Sequence, residues 1–328
     1  APDLPGARAS AAPGRGRGGG RRLGRGGMSA GASIERAPED ACAGLCVLAS
    51  GSRGNCTVLV HPGSPRRVTL IDAGLSPLRT RKLLHERGIE PHEVDELLLT
   101  HLDTDHCHPG WASALRTRRW HATVRIAERH MGRAGREGLL TCRTEPFGHD
   151  RFSLGEMVVD PIMLSHDDLG VAAFRFAIPG AGGVGVLGFA TDLGRVTPGL
   201  IEHFARVDVL AIESNYCPQL QVASNRPAFL KKRIMGGSGH LSNEESAGAV
   251  ARMSPRDRVV ALHLSRECNR PDLVERAHGA NGVALTITDQ FEPTGWVWVR
   301  ARERAMPEVR VVMRTGSLFG GARGESVA

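Results

Sequence analysis

A dense group of potential metal ligands follows a short apolar run near residue 100. Residues 97–99 predict a buried strand, and the loop after them carries five side chains able to bind a metal: His101, Asp103, Asp105, His106 and His108. Imidazoles and carboxylates packed this closely repel one another or lose solvation unless a cation neutralises them. The spacing His-x-Asp-x-Asp-His therefore predicts a divalent-metal site at the carboxyl end of a strand, with a solvated polar loop as the alternative.

Three further candidate ligands stand alone downstream. His166, Asp192 and His263 each follow a strand-like stretch. His166 or Asp192 by itself would more often be a turn residue, and their order after the first cluster is what makes them candidates. His240 precedes a capping box at residues 242–245, and the free amides of a helix start favour an anion such as phosphate.

The elements that must position these residues are short strands and capped helices. Residues 45–61 predict a β-hairpin whose tip is rich in Ser, Gly and Asn. Ser76, Pro77 and Gly88 mark the two ends of a helix. The other expected strands are 68–71, 97–99, 121–126, 151–160, 171–177, 184–190, 207–212, 259–262, 284–288 and 296–299, and the other expected helices lie at 111–115, 200–204, 272–278 and after residue 242.

The two ends of the chain differ from its body. Residues 1–27 hold six arginines and one aspartate, which supply most of the formal charge of +7. Residues 1–40, rich in Gly, Ala, Arg and Pro, predict a disordered tail, with an RGG-like nucleic-acid-binding tail as the alternative. Met28 within it is a candidate translation start. Residues 300–328 are expected to be a frayed basic tail around a folded domain at 41–299.

Two absences bear on location. No run of about 18 apolar residues is present, and no apolar segment typical of a secretion signal opens the sequence. The seven cysteines include no C-x-x-C pair and are typical of reduced thiols. We therefore expect a cytoplasmic protein without a membrane partner.

The order of these motifs resembles the metallo-β-lactamase superfamily. The segments 48–55, 70–76, 239–243 and 263–265 are similar to those of the WalJ/YycJ family within it. The resemblance covers residues 44–299. It implies an α/β fold, an αβ/βα sandwich of two mixed β-sheets with outer helices, and an activity on DNA, since WalJ/YycJ proteins are associated with exonuclease activity.

The resemblance also implies two divalent metal ions. One would be held by His101, Asp103 and His166, the second by Asp105, His106 and His263, and Asp192 would bridge them. The family pattern has His where this chain has Asp103, and a carboxylate there shifts the expected metal from zinc towards manganese or iron. His240 would contact the scissile phosphate or protonate the leaving group.

The expected function is a metal-dependent phosphodiester hydrolase, an exonuclease on DNA that uses a hydroxide activated by the two metals. Asp105 and Asp192 would hold that hydroxide, while Ser52, Asn55 and Arg233 would contact substrate phosphates. Three alternatives stay open: a hydrolase of small phosphodiesters, a hydrolase of thioesters or lactones, and a non-catalytic metal-binding regulator. The choice of DNA over RNA, the cleavage polarity and the oligomeric state are also open.

Overall fold

The structure is a computed structural model that describes residues 37–61, 66–141, 143–166 and 168–309. The disordered tail predicted for residues 1–40 falls outside these ranges except for its last four residues. The part of the basic tail beyond residue 309 lies outside them as well.

The first of two mixed sheets is built from both ends of the domain. Its strands are β1 (Ala41–Ala49), β2 (Cys56–His61), β3 (Arg67–Ile71), β4 (Val94–Leu98), β5 (Thr123–Ala127), β6 (Thr144–Phe147) and β14 (Val297–Arg300). Their order is β14-β1-β2-β3-β4-β5-β6. The pairs from β14 to β3 are antiparallel and those from β3 to β6 are parallel.

The second sheet mirrors this arrangement. Its strands are β7 (Phe152–Leu154), β8 (Met157–Leu164), β9 (Val171–Gly180), β10 (Gly183–Ala190), β11 (Val209–Glu213), β12 (Arg258–Leu262) and β13 (Ala284–Ile287). They lie in the order β13-β12-β11-β10-β9-β8-β7. Strands β10 to β13 are parallel, so their carboxyl ends share one edge of the sheet.

Helices cover the outer faces, and the two sheets pack against each other. The helices are α1 (Pro77–His85), α2 (Gly110–Arg116), α3 (Met131–Arg136), α4 (Pro198–His203), α5 (Pro218–Ala223), α6 (Ala228–Arg233), α7 (Asn243–Met253) and α8 (Pro271–His278), with a π-helical turn at Ile234–Ser238 and 3-10 turns at Pro91–Glu93, Glu128–His130 and Gly279–Asn281. Val47 and Phe174 lie in the core between the sheets. Trp111 packs beneath the first outer layer and Phe204 beneath the second.

This architecture confirms the predicted αβ/βα sandwich. Local details differ. The stretch 151–160 forms two strands, because Gly155 takes a left-handed conformation (φ 59°) and turns the chain between β7 and β8. The capping box predicted at Ser242 and Glu245 is present at the start of α7.

The structure corrects the first residues of the frayed tail that was predicted from residue 300. Arg300 closes β14, and the backbone of Arg302 bridges to Val184. The guanidinium groups of Arg302 and Arg304 contact the fully buried carboxylate of Asp208 at 2.9 and 2.8 Å. A buried carboxylate is costly without a cationic partner, so residues 300–304 belong to the folded domain.

Within the described residues, no helix has both the length and the apolar character needed to cross a bilayer.

Candidate metal centre and active site

The candidate ligands gather where strands of both sheets end. His101 to His106 follow β4, His166 follows β8, Asp192 follows β10 and His263 follows β12. Two of them have left-handed backbones, Asp192 with φ 53° and His263 with φ 57°. Non-glycine residues adopt this conformation at a cost, and such strain concentrates at functional sites.

The structure brings the seven predicted ligands into two adjoining groups joined by Asp192. Its Oδ2 lies 2.7 Å from His106 Nε2, and its Oδ1 lies 4.0 Å from His166 Nε2. Donor atoms within each group lie within 4.8 Å of one another: His101, Asp103 and His166 in the first group, and Asp105, His106 and His263 in the second. Two overlapping sets meet the same distance limit: His101, His106 and Asp192, and Asp192, Glu213, His240 and His263. The geometry therefore allows the division that the resemblance implies, beside others. We call these seven candidate ligands the metal centre.

Asp72 and Thr100 orient two of the imidazoles. His106 Nδ1 lies 2.7 Å from Asp72 Oδ2, and His101 Nδ1 lies 3.0 Å from the Thr100 hydroxyl, which itself donates to Asp72 at 2.8 Å. Each ring thus uses Nδ1 for an outer partner and turns Nε2 inward. Such hydrogen bonds set the tautomer of metal-binding histidines. Asp72 lies in the segment 70–76, for which the sequence predicted no such role, and its backbone is left-handed (φ 62°).

Opposite charges compensate one another at this centre. Burial would lower the pKa of His106, but Asp192 and Asp72 raise it well above its ordinary value. Burial likewise opposes ionisation of His263, yet Asp192, Asp105 and Glu213 raise its pKa to about 10. Burial would raise the pKa of Asp192, but His263 and His106 hold it well below its usual range. In the protein without a metal, the neighbouring carboxylates therefore favour the protonated form of both imidazoles.

These residues fit a divalent metal. His166 Nδ1 and His263 Nε2 are buried, and the described residues offer neither atom a hydrogen-bond partner. A buried polar atom without a partner is costly, so a group absent from the polypeptide would stabilise both. Burial also lowers the pKa of His101, which keeps this imidazole neutral and able to bind a metal. The mixed nitrogen and carboxylate donors suit zinc, manganese or iron.

Glu213 is a site residue that the motif spacing did not reveal. It ends β11 fully buried, and its Oε1 lies 2.6 Å from His240 Nδ1 and 3.3 Å from His263 Nδ1. Its Oε2 accepts the backbone N–H groups of Leu193 and Leu241 at 2.7 and 3.3 Å. Burial would raise the pKa of Glu213, but His240 lowers it, so the carboxylate is charged. The feature of the sequence that could have identified Glu213 is its position at the end of an apolar strand.

His240 faces the metal centre from the loop before α7. Its Nδ1 is bound by Glu213 and lies 3.4 Å from Asp192 Oδ1. The side chain keeps 22% of its surface exposed, whereas Glu213 has none. His240 can therefore hold a proton at Nδ1 against Glu213 and present Nε2 to a substrate.

The hairpin tip predicted to contact phosphate splits into a buried and an exposed part. Asn55 is buried, accepts the Gly51 N–H at 2.8 Å and donates to the Asp105 carbonyl at 3.2 Å. Ser50 accepts the backbone N–H of His263 at 2.8 Å. Asn55 and Ser50 thus hold the ligand loops, whereas Ser52 is exposed at the tip.

A cleft of about 610 Å³ opens beside the metal centre and is lined by Arg133, His166, Asp168, Leu169, Arg233 and Ser238. Arg233, a predicted phosphate contact, ends α6 at this cleft. Arg133, which the sequence did not single out, donates to Asp103 Oδ1 at 2.9 Å. His108, the remaining member of the first cluster, accepts the N–H of Gly110 at Nδ1, at 3.0 Å, at the start of α2.

Comparisons with known proteins agree with this architecture. The sequence model of the family described as Beta-lactamase superfamily domain matches residues 66–264, more than half of the chain. The exodeoxyribonuclease WalJ of Streptococcus pneumoniae serotype 2 is 28% identical over 246 residues, covering 69% of this chain and 83% of that protein. The exodeoxyribonuclease YycJ of Bacillus anthracis is 26% identical over 234 residues, covering 69% and 84%.

A solved structure shows the same fold. The metallo-beta-lactamase fold protein YhfI from Bacillus subtilis superposes with a TM-score of 0.56 at 13% sequence identity, covering 76% of this chain and 99% of that one. The family match, the two packed mixed sheets and the ligand order lead to one assignment. The chain belongs to the metallo-β-lactamase superfamily of hydrolases.

Proposed function

We propose that this protein is a metal-dependent phosphodiester hydrolase that shortens DNA from an end. The observation that carries the proposal is the convergence of the seven ligands with His240, Glu213 and the arginine-lined cleft. A hydrolase of neutral esters has no need of cationic groups beside its metal centre, whereas a phosphodiester carries a negative charge through the whole reaction.

His101, Asp103 and His166 would hold one divalent cation and Asp105, His106 and His263 a second, with Asp192 between them. A pair of such cations supplies a water that ionises near neutral pH and charge stabilisation for the phosphate oxygens. The protein's own task here is orientation. Asp72 and Thr100 hold the imidazoles of His106 and His101, and Asn55 and Ser50 hold the loops that carry Asp105 and His263.

His240 is the proposed general acid. Glu213 binds its Nδ1 at 2.6 Å, so the proton available to a leaving oxygen is the one on Nε2, which points away from Glu213. The hydrogen bond to the buried carboxylate of Glu213 fixes the orientation of the His240 ring. General acid catalysis of this kind contributes about 10²- to 10⁴-fold to a rate.

Arg233 is the proposed phosphate contact at the cleft. It ends α6 within a basic run that includes Lys231 and Lys232. Lys231 Nζ donates a hydrogen bond to the Val222 carbonyl at 2.7 Å. Backbone phosphates bound here would position a strand without selecting its sequence.

A second surface supports a polymeric substrate. Phe291 is 45% exposed and lies between two arginines, with the guanidinium carbons of Arg266 and Arg79 at 4.9 and 5.8 Å from the ring centroid. The preceding residue, Gln290, accepts the N–H of Arg53 at 2.8 Å and so ties this surface to the 51–54 hairpin tip. An exposed ring among arginines is suited to a base and its neighbouring phosphates.

The two similar proteins named as exodeoxyribonucleases support DNA over other phosphodiesters. A cytoplasmic site of action is part of the proposal, and it rests on the thiols: the six cysteines that the structure describes are buried and free.

The test is degradation of 5′-labelled single- and double-stranded DNA by protein loaded with manganese, zinc or iron, beside bis-p-nitrophenyl phosphate as a generic phosphodiester. We expect metal-dependent shortening of DNA that Asp105→Ala abolishes while the fold, followed by circular dichroism, is kept. Phe291→Ala serves as the matched variant outside the centre, and it should weaken DNA cleavage while sparing the generic substrate.

Two outcomes would redirect the assignment. Hydrolysis of the generic phosphodiester without DNA cleavage would indicate a small substrate. Full activity in Asp105→Ala would refute the proposed metal centre.

A further inference from the structure

Position 103 is where this chain departs from the pattern of its family. A carboxylate oxygen of Asp lies closer to the backbone than Nε2 of His does. The Asp side chain must therefore be oriented more closely if one of its oxygens is to bind a metal. The backbone of Asp103 is already held, because its carbonyl accepts the N–H groups of His106 and Cys107, both at 2.7 Å. The side chain, however, is 36% exposed and has two free torsions of its own.

Arg133 of α3 supplies the missing constraint. Its guanidinium donates to Asp103 Oδ1 at 2.9 Å, while Asp103 Oδ2 lies 3.8 Å from His101 Nε2, on the side of the metal centre. Arg133 is held in turn by Glu137, whose Oε1 accepts from its Nε at 2.7 Å. One oxygen of Asp103 is thereby occupied and the other is left for a cation.

We propose that Arg133 is a positioning residue that makes Asp103 a one-oxygen ligand and sets the affinity of the first metal position. Replacing His by Asp adds a negative charge to that position, and the guanidinium balances it from the side away from the cation. This inference rests on the proposed ligand assignment and not on DNA as the substrate.

A plain surface ion pair would behave differently. Exposed ion pairs contribute little to stability. If Arg133 and Asp103 formed no more than such a pair, removing Arg133 would leave metal binding unchanged. Partners that orient metal ligands, by contrast, typically change metal affinity about 10- to 100-fold when removed. Metal binding therefore separates the two roles without any measurement of catalysis.

The experiment measures Mn²⁺ and Zn²⁺ binding by titration calorimetry and by metal content after dialysis, with thermal unfolding as the check on folding. In Arg133→Gln we expect one of the two binding events to weaken about 10- to 100-fold. Arg133→Lys, which keeps the charge, should recover part of that loss. Arg136→Gln removes an arginine from the same helix and serves as the matched control, with binding unchanged.

The decisive variant restores the family residue. In an Asp103→His background, Arg133→Gln should leave metal binding within about twofold of its parent, because an imidazole needs no partner for a second oxygen. The same loss in both backgrounds, or unchanged binding in Arg133→Gln, would overturn the proposal. Since the readout is binding, a protein that holds two cations but leaves DNA intact would count against the nuclease alone.

Discussion

Replacement of Glu213 by Gln is the sharpest test of how the active site is organised. Both oxygens of this buried carboxylate face donors: Oε1 faces the Nδ1 atoms of His240 and His263, and Oε2 faces the backbone N–H groups of Leu193 and Leu241. Glutamine offers one oxygen and one NH₂ group. In either orientation, the NH₂ group of the glutamine therefore faces two hydrogen-bond donors, in a site with no exposed surface.

The cost follows from the two orientations. If the NH₂ group faces Leu193 and Leu241, two buried N–H groups lose their acceptor, and at about 1–3 kcal/mol each, less local relaxation, the loss is about 2–4 kcal/mol. If it faces the imidazoles, His240 must accept at Nδ1, so its ring loses the tautomer that the hydrogen bond to Glu213 sets. The first case lowers the melting temperature by roughly 5–10 °C, and the second removes the acid and about 10²-fold in rate.

The assay pairs thermal unfolding with DNA cleavage at saturating metal. Asp208→Asn is the matched control, since Asp208 is an equally buried carboxylate before the amino end of β11, the opposite end from Glu213. It should lose stability and keep its rate per folded molecule. A Glu213→Gln protein with wild-type melting temperature and wild-type rate would refute the proposed network.

Three further results are expected. Metal uptake at pH 7 should release protons, because the neighbouring carboxylates raise the pKa of His106 and His263 in the protein alone; calorimetry in buffers of different ionisation enthalpy measures this, and uptake without release would contradict it. In chelated protein, the pKa of His263 is raised from 6.5 to about 10 on folding, so its stabilisation is complete below pH 6.5 and is lost as the pH rises through about 10; urea midpoints that climb over this range would disagree. Joint replacement of Arg302 and Arg304 by Gln should cost about 3–5 kcal/mol in urea unfolding by leaving Asp208 buried without a cation, and an unchanged midpoint would show that residues 300–304 are dispensable.

Much of the architecture was accessible from local pattern. Apolar runs bounded by Gly, Pro and capping residues marked most strands and helices, because burial and turn chemistry act over a few residues. The local pattern gave a wrong prediction where residues far apart in the sequence determine the structure. Residues 300–304 have the composition of a tail, but the backbone bridge from Arg302 to Val184 and the buried charge of Asp208, 94 residues before Arg302, hold them in the fold.

The sequence by itself determined the family, the fold class and the candidate ligands, since all three depend on residue types in order along the chain. The tertiary structure decided which polar groups meet. Glu213 and His240 are 27 residues apart and Asp103 and Arg133 are 30 apart, and both pairs form only because strand ends and helices from different parts of the chain share one edge of the sandwich. Local periodicity carries no information about such contacts, so the sequence could give candidate ligands but not the residues that contact them.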